Sequence, residues 1–173
     1  MALKIFETRY MDMAKVALKN AVPFGIVLIR EGEEVGAPAA SHPVGTLARI
    51  TDWDMPELGV LQVQVRGGDR FRIQSQVVRK SGLIVGTVEW VPPDPAGDCP
   101  ELPPCANFLR KVLVQVGQER DVPKFEEAAW VSFRLTELLP FSNTIKQKML
   151  ELTDAKMRIE VLYRFLREQQ LAT

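Results

Sequence analysis

The side chains with the greatest capacity for chemistry in this chain are two cysteines and a single histidine. Cys99 and Cys105 lie in a proline-rich stretch, and His42 lies in a segment rich in proline and alanine. A structural zinc site needs four ligands, more than these three residues supply. The spacing of the cysteines is not the Cys-x-x-Cys of a redox motif. We therefore predict two free thiols beside a linker, with a redox role left open, and a solvated histidine in a loop.

Three carboxylates lie close together in the sequence at Asp52, Asp54 and Glu57. Oxygen ligands of this kind bind hard cations, but the spacing fits no calcium loop. We interpret Asp52–Gly59 as an acidic surface loop that also carries Trp53. The sequence thus predicts no metal site, no cofactor and no catalytic residue, and we expect that the protein is not an enzyme.

Basic side chains flank an aromatic ring at Arg70-Phe71-Arg72, a pattern also found in nucleic-acid-binding patches. Because side chains alternate between the two faces of a strand, Phe71 would face away from both arginines. That arrangement disfavours a base-stacking platform. The chain also carries 22 Lys plus Arg against 22 Asp plus Glu, so long-range attraction to nucleic acid or anionic membrane is weak.

Length and composition are those of an ordinary globular protein. The chain has 173 residues, of which 46% are apolar and 25% charged. This size corresponds to one domain, or to one domain with a packed subdomain. No apolar run reaches the ~20 residues of a membrane span. The first residues also lack the pattern of a signal peptide, so we predict a cytoplasmic protein.

Period-two patterns dominate residues 1–95, after an opening amphipathic helix over Ile5–Leu18. Five strands are predicted, at Ala21–Arg30, Val44–Ile50, Leu61–Arg66, Arg70–Gln74 and Leu83–Val91. The helix places Phe6 and Tyr10 on its core-facing stripe. Gly67-Gly68-Asp69 is interpreted as a hairpin turn. The pattern favours an antiparallel sheet that curls into a barrel.

Helical periodicity replaces this pattern over residues 101–173. Apolar residues recur at three- and four-residue spacing from Leu102 to Val116, and a second helix is expected over Lys124–Leu139. Ser142 can cap a short third helix, and Thr153 or Asp154 can cap a last one. We therefore predict a β-barrel-like domain over residues 1–95 and a helical subdomain over residues 101–173.

Several short segments in a fixed order resemble the N-terminal substrate-binding domain of the Lon protease family. They are Ile5–Tyr10 with Met13, Phe24–Val27, Val44–Ile50, Gly67–Ile73, Lys146–Glu151 and Arg158–Leu162. The resemblance implies an α+β fold, in which an antiparallel PUA-like β-barrel is followed by a C-terminal helical subdomain. It also implies structural roles for the signature residues Phe6, Glu7, Arg9, Tyr10, Gly45, Arg70 and Phe71.

Two departures from the family pattern shape the expectations. Gly67-Gly68 lacks the lysine of a phosphate loop and no Ser–Lys dyad is present, so we expect a stand-alone domain without ATPase or peptidase activity. The family's opening strand is also expected to be missing ahead of Ala2. Its absence would leave a neighbouring strand edge unpaired, open to self-association or to an added client strand.

The leading hypothesis for function is non-catalytic recognition of unfolded polypeptide or of a protein partner, by resemblance to the family. Apolar surface in a groove between barrel and helices would lose water contact on binding. Trp53 and Trp130 are the candidate peptide-binding residues, whereas Trp90 is interpreted as a core residue. The alternative is an RNA-binding PUA-like protein, which the zero net charge disfavours.

Overall fold

The computed structural model describes residues 1–33, 36, 39–95, 97–117 and 122–171. The chain divides into two compact units, Met1–Val91 and Pro92–Thr173. The first unit combines a sheet with one helix, and the second is helical. None of the helices in the described ranges has the length and apolar character needed to cross a membrane.

The first unit, over its described residues, holds a five-stranded antiparallel sheet and one helix. The elements are β1 (Ala2–Ile5), α1 (Thr8–Asn20), β2 (Phe24–Glu31), β3 (Ala40–Glu57), β4 (Val60–Val78) and β5 (Ile84–Trp90). The strand order is β1-β4-β3-β2, and β5 pairs with the second half of β4. Among the described residues no pairing joins β2 to β1 or β5, so the observed ladder is open.

The expectation of a missing first strand is wrong. Ala2–Ile5 forms β1 and pairs with β4, from Ala2 opposite Gln64 to Ile5 opposite Leu61. The Met1 backbone carbonyl also accepts a hydrogen bond from the Val65 amide at 2.9 Å. Alternation of exposed Lys4 with half-buried Leu3 and buried Ile5 fits a strand with one wet face. The first half of β4 therefore has a partner along this edge.

The predicted hairpin turn at Gly67-Gly68-Asp69 is also wrong. β4 runs through these residues without a break, so Leu61–Arg66 and Arg70–Gln74 belong to one strand. Neither glycine has a positive φ, whereas Gly59 and Gly82, in the turns that follow β3 and β4, do. The pairing with β3 shifts register between Thr46 and Ala48, opposite the two glycines. Glycine here serves a β-bulge rather than a turn.

β3 is longer than predicted at both ends. His42 lies on this strand and is half-buried, rather than in a loop. Asp52, Trp53 and Asp54 pair with residues of β4, so the segment interpreted as an acidic loop is the exposed end of a β-hairpin. Pairing with β4 gives the backbone amides here their hydrogen-bond partners, which an alternation pattern alone does not reveal.

The core of the first unit lies between the sheet and α1. Its buried members are Ile5, Ala14, Ala48, Leu61, Val63 and Val65. Tyr10 packs against this cluster, as its helical position predicts. Phe6 does not, because it precedes α1 and is 55% exposed. Trp90 is 57% exposed and the interpretation as core is wrong, since it ends the edge strand β5.

The second unit, in its described part, contains four helices. They are α2 (Leu102–Val116), α3 (Ala128–Leu138), α4 (Asn143–Glu151) and α5 (Ala155–Glu168). The Ser142 side chain accepts a hydrogen bond from the Ile145 amide and begins α4, as predicted. Asp154 caps α5 by accepting from the Lys156 amide at 2.8 Å and the Met157 amide at 3.4 Å.

A single apolar cluster holds these helices together. It includes Leu109 of α2, Leu135 of α3, Met149 of α4 and Ile159 of α5. Cys99, which precedes α2, belongs to the same cluster, so the stretch interpreted as a linker contributes to the helical core.

Candidate functional site

Exposed apolar side chains cluster at the end of the hairpin formed by β3 and β4. Trp53 is 56% exposed, and Met55 and Leu58 lie near it in the sequence and are also exposed. We call these three residues the hairpin surface. The hairpin closes with Glu57 opposite Val60, and Gly59 supplies the positive φ of its turn.

Trp53 extends the core face of the sheet beyond the buried cluster. It lies directly opposite Val63, which in turn lies opposite Leu3 of β1. Residues opposite each other in antiparallel strands share one face, so the three side chains form a row across the sheet. A register shift between Ile50 and Asp52 keeps Trp53 on the same face as Ile50. The row thus runs from half-buried Leu3 through buried Val63 to solvent at Trp53.

Carboxylates flank the hairpin surface without forming a metal site. Asp52 accepts a hydrogen bond from the Trp53 amide at 2.9 Å, and Asp54 accepts one from the Met55 amide at 2.8 Å. Each carboxylate therefore bonds to the amide of the following residue. Across the described ranges, no group of three or more His, Cys, Asp or Glu could hold a metal ion.

Trp130, the second candidate anchor, lies in the other compact unit, on α3. Its ring meets Phe125 edge to face, with centroids 5.5 Å apart, and it packs against the helical core. It is half-buried and therefore offers less apolar surface to a ligand than Trp53 does. A role for Trp130 in peptide binding stays a prediction.

The signature residues of the first helix connect its beginning to the β4–β5 turn. Arg9 is buried and forms an ion pair with Glu7 at 2.8 Å. Its Nη1 donates to the Gly82 carbonyl at 3.3 Å, and its guanidinium lies 4.8 Å from the centre of the Tyr10 ring. These contacts give Glu7, Arg9 and Tyr10 a structural role within the first unit.

Three further signature segments meet at the Phe71 ring. An added β-carbon would come within 2.8 Å of Phe71 Cζ at Gly25, and within 2.7 Å at Gly45. Gly45 lies directly opposite Phe71 in the β3–β4 ladder. The neighbouring Arg70 is also buried. The Phe-Gly, Val-Gly-Thr and Arg-Phe segments therefore form one packing contact, with no polar group presented to a ligand by the ring or the glycines.

A buried ion pair that the sequence did not indicate joins Asp94 to Arg158 in the second unit. Arg158 Nη2 lies 2.5 Å from Asp94 Oδ2, and Nη1 donates to Oδ1 at 2.9 Å. Arg158 Nε donates to Ser132 Oγ at 3.0 Å, and Nη1 donates to the Leu152 carbonyl at 2.8 Å. The guanidinium also lies 4.0 Å from the centre of the Phe133 ring. A proline-rich context and a separation of 64 residues concealed this pair in the sequence.

Both cysteines are free and buried. Burial is the main cause that raises the pKa of Cys105 to about 12, with Cys99 and Glu101 adding to it. Burial, followed by the nearby Glu101 carboxylate, also raises the pKa of Cys99. The thiolate is the reactive form of cysteine, so these positions favour inert packing over nucleophilic chemistry.

Comparisons with known proteins agree with this architecture. The sequence profile for the ATP-dependent protease La (LON) substrate-binding domain matches residues 1–168. The chain is similar to the crystal structure of a Lon N-terminal domain protein from Xanthomonas campestris, with 34% identity and a TM-score of 0.78. That match covers 95% of this chain and 88% of the other. No curated protein sequence matches the chain.

A more distant solved structure shares the fold alone. The N-terminal domain of the Lon protease from the Mycobacterium avium complex has 16% identity and a TM-score of 0.66, covering 97% of this chain and 90% of that one. The antiparallel sheet and the helices, together with these likenesses, confirm the predicted α+β, PUA-like fold. The match over residues 1–168 also confirms the resemblance noted in the sequence. The chain therefore belongs to the LON substrate-binding domain family.

Proposed function

We propose that this protein is a non-catalytic recognition module that binds unfolded polypeptide through the hairpin surface at Trp53, Met55 and Leu58. The observation that carries the proposal is the exposure of Trp53 and its two apolar neighbours at the end of a paired hairpin. Membership of a substrate-binding domain family supports it. The free thiols Cys99 and Cys105 fit a reducing cytoplasm as the place of action.

Burial of apolar surface supplies the driving force in this proposal. A tryptophan side chain presents roughly 150–250 Å² of surface, and each Å² removed from water contributes about 25 cal/mol. Covering the exposed part of Trp53 therefore contributes about 2–3 kcal/mol before ordering costs. An unfolded segment exposes apolar side chains that a folded protein hides, so it gains most from this surface.

The test compares a permanently unfolded protein with its folded form. Reduced, carboxymethylated α-lactalbumin should bind to the protein, whereas native α-lactalbumin should not. Trp53→Ala should weaken binding about 30-fold, the effect of losing ~2 kcal/mol at an interface hot spot. Val114→Ala, at an exposed position on α2 in the other unit, is the matched control and should leave binding unchanged. Equal affinity for folded and unfolded α-lactalbumin would contradict the proposal.

A further inference from the structure

The strand β5 is an edge of the sheet, because β4 is its one partner in the described ranges. Five of its seven residues, namely Val85, Gly86, Thr87, Glu89 and Trp90, are exposed to solvent. An edge strand of this kind presents unpaired backbone N–H and C=O groups to whatever approaches it.

Natural edge strands carry devices that block pairing with another chain, and β5 lacks the common ones. Short length, lysine, proline and inward-pointing charges serve this purpose. The sequence of β5, Ile-Val-Gly-Thr-Val-Glu-Trp, contains no lysine and no proline. Its one charge, on Glu89, accepts a hydrogen bond from the Gln74 amide of β4 at 2.6 Å. By contrast, β1 has only four residues, and most residues of β2 are half-buried.

Gly86 lies near the middle of this edge and supports the approach of another backbone. Its φ is not positive, so the backbone conformation does not require glycine. A β-carbon there would meet the Ser75 carbonyl at 3.4 Å and nothing closer. A glycine inside a strand without a conformational need commonly marks a bulge or a place where a second chain comes close. The bulge of this pair lies between Ile73 and Ser75 on β4.

The dimensions of the edge favour a flexible segment over a second folded copy. Seven residues make an edge about 23 Å long and about 10 Å thick, which offers about 230 Å² to a rigid partner. Stable interfaces bury roughly 800 Å² on each partner. An extended segment does not need that area, because main-chain hydrogen bonds supply its affinity and its side chains can fold over both faces.

We infer that the outer edge of β5 binds an extended segment of a client polypeptide as an additional strand of the sheet. This inference rests on the proposed function and adds to it the conformation in which a client is bound. Main-chain pairing reads backbone rather than sequence, so it accepts many clients and favours segments that readily form strands. It also moves the expected open edge from the opening strand to β5.

The first experiment uses the unmodified protein and two peptides. One is a fluorescein-labelled nine-residue peptide of alternating valine and threonine with lysine at both ends. The other carries N-methyl groups on three consecutive central amides, which blocks both peptide edges while keeping every side chain. Fluorescence anisotropy should show at least tenfold weaker binding of the methylated peptide. Equal binding of the two peptides would overturn the inference while leaving the proposed function intact.

The second experiment places a lysine on the edge. Val85→Lys, on β5, should weaken binding of the unmethylated peptide at least tenfold, and Val16→Lys, on exposed α1, should not. Circular dichroism checks that both variants keep the fold. Equal effects of the two lysines would overturn the inference, as would a wild-type dimer that Val85→Lys alone dissociates. Failure to bind either the peptide or carboxymethylated α-lactalbumin would reject the proposed function and this inference together.

Discussion

The ring of Phe71 lies against the backbone of Gly45, so closely that a β-carbon at Gly45 would stand 2.7 Å from Phe71 Cζ. The same β-carbon would stand 2.6 Å from Val27 Cγ1 on the neighbouring strand. Contacts this short do not occur between real side chains, and close-packed interiors leave little room for relief. The contact explains why a glycine and a phenylalanine from distant segments belong to one sequence signature.

Replacing this glycine is expected to destabilise the first unit. Gly45→Ala should lower the free energy of unfolding by about 1–3 kcal/mol, because the ring and the strands must shift to admit a methyl group. Urea denaturation followed by circular dichroism measures the change. Gly67→Ala is the matched control, since its β-carbon would meet Thr46 Cγ2 at 3.7 Å, an ordinary contact. Similar losses in both variants would show that strand propensity, and not the Phe71 contact, is responsible.

The Asp94–Arg158 pair predicts a larger effect in the second unit. Asp94→Ala leaves the fully buried guanidinium without its carboxylate, and breaking such a pair costs about 3–5 kcal/mol. Glu137→Ala, which removes the exposed partner of Arg134, should cost at most about 1 kcal/mol. Urea unfolding of both variants makes the comparison. A loss below about 1 kcal/mol for Asp94→Ala would mean that water reaches Arg158.

The cysteines predict slow labelling and loss of stability at alkaline pH. The reagent of Ellman should react with Cys99 and Cys105 at pH 8 only as fast as the protein opens, and promptly once urea unfolds it. The folded state keeps the Cys105 proton above the ordinary pKa of 9.0, so the unfolded state loses that proton first. Stability should therefore fall as the pH rises from 9.0 towards about 12. Cys105→Ala should reduce this fall, and fast labelling of the folded protein would contradict the prediction.

Salt dependence separates the proposed polypeptide binding from RNA binding. Raising the salt from about 0.05 to about 0.5 M should change affinity for carboxymethylated α-lactalbumin little, because apolar burial releases no counterions. A protein that neutralised several phosphates would lose roughly three decades or more over this range. Titration of the protein against α-lactalbumin and against a single-stranded RNA at both salt concentrations provides the measurement. A steep negative slope with RNA as the tighter ligand would favour the alternative.

Local features of the sequence determined much of the architecture. Period-two and helical patterns separated the sheet from the helices, because alternation and 3.6-residue spacing report which side of an element is apolar. Ser142 and Asp154 predicted where α4 and α5 begin, since the donors that a cap satisfies lie within three residues of it. The order of the signature segments predicted the family.

Contacts between distant segments were decided only in three dimensions. Gly67-Gly68 fits a turn or a bulge equally well, and only pairing with β3 makes β4 one strand. Trp90 has the pattern of a core residue but ends an edge strand, because periodicity describes a face and not the neighbours of that face. Asp94 and Arg158 meet across 64 residues, and the edge of β5 exists only because no described strand covers it. Long-range packing thus chose the partners of residues whose local roles the sequence already indicated.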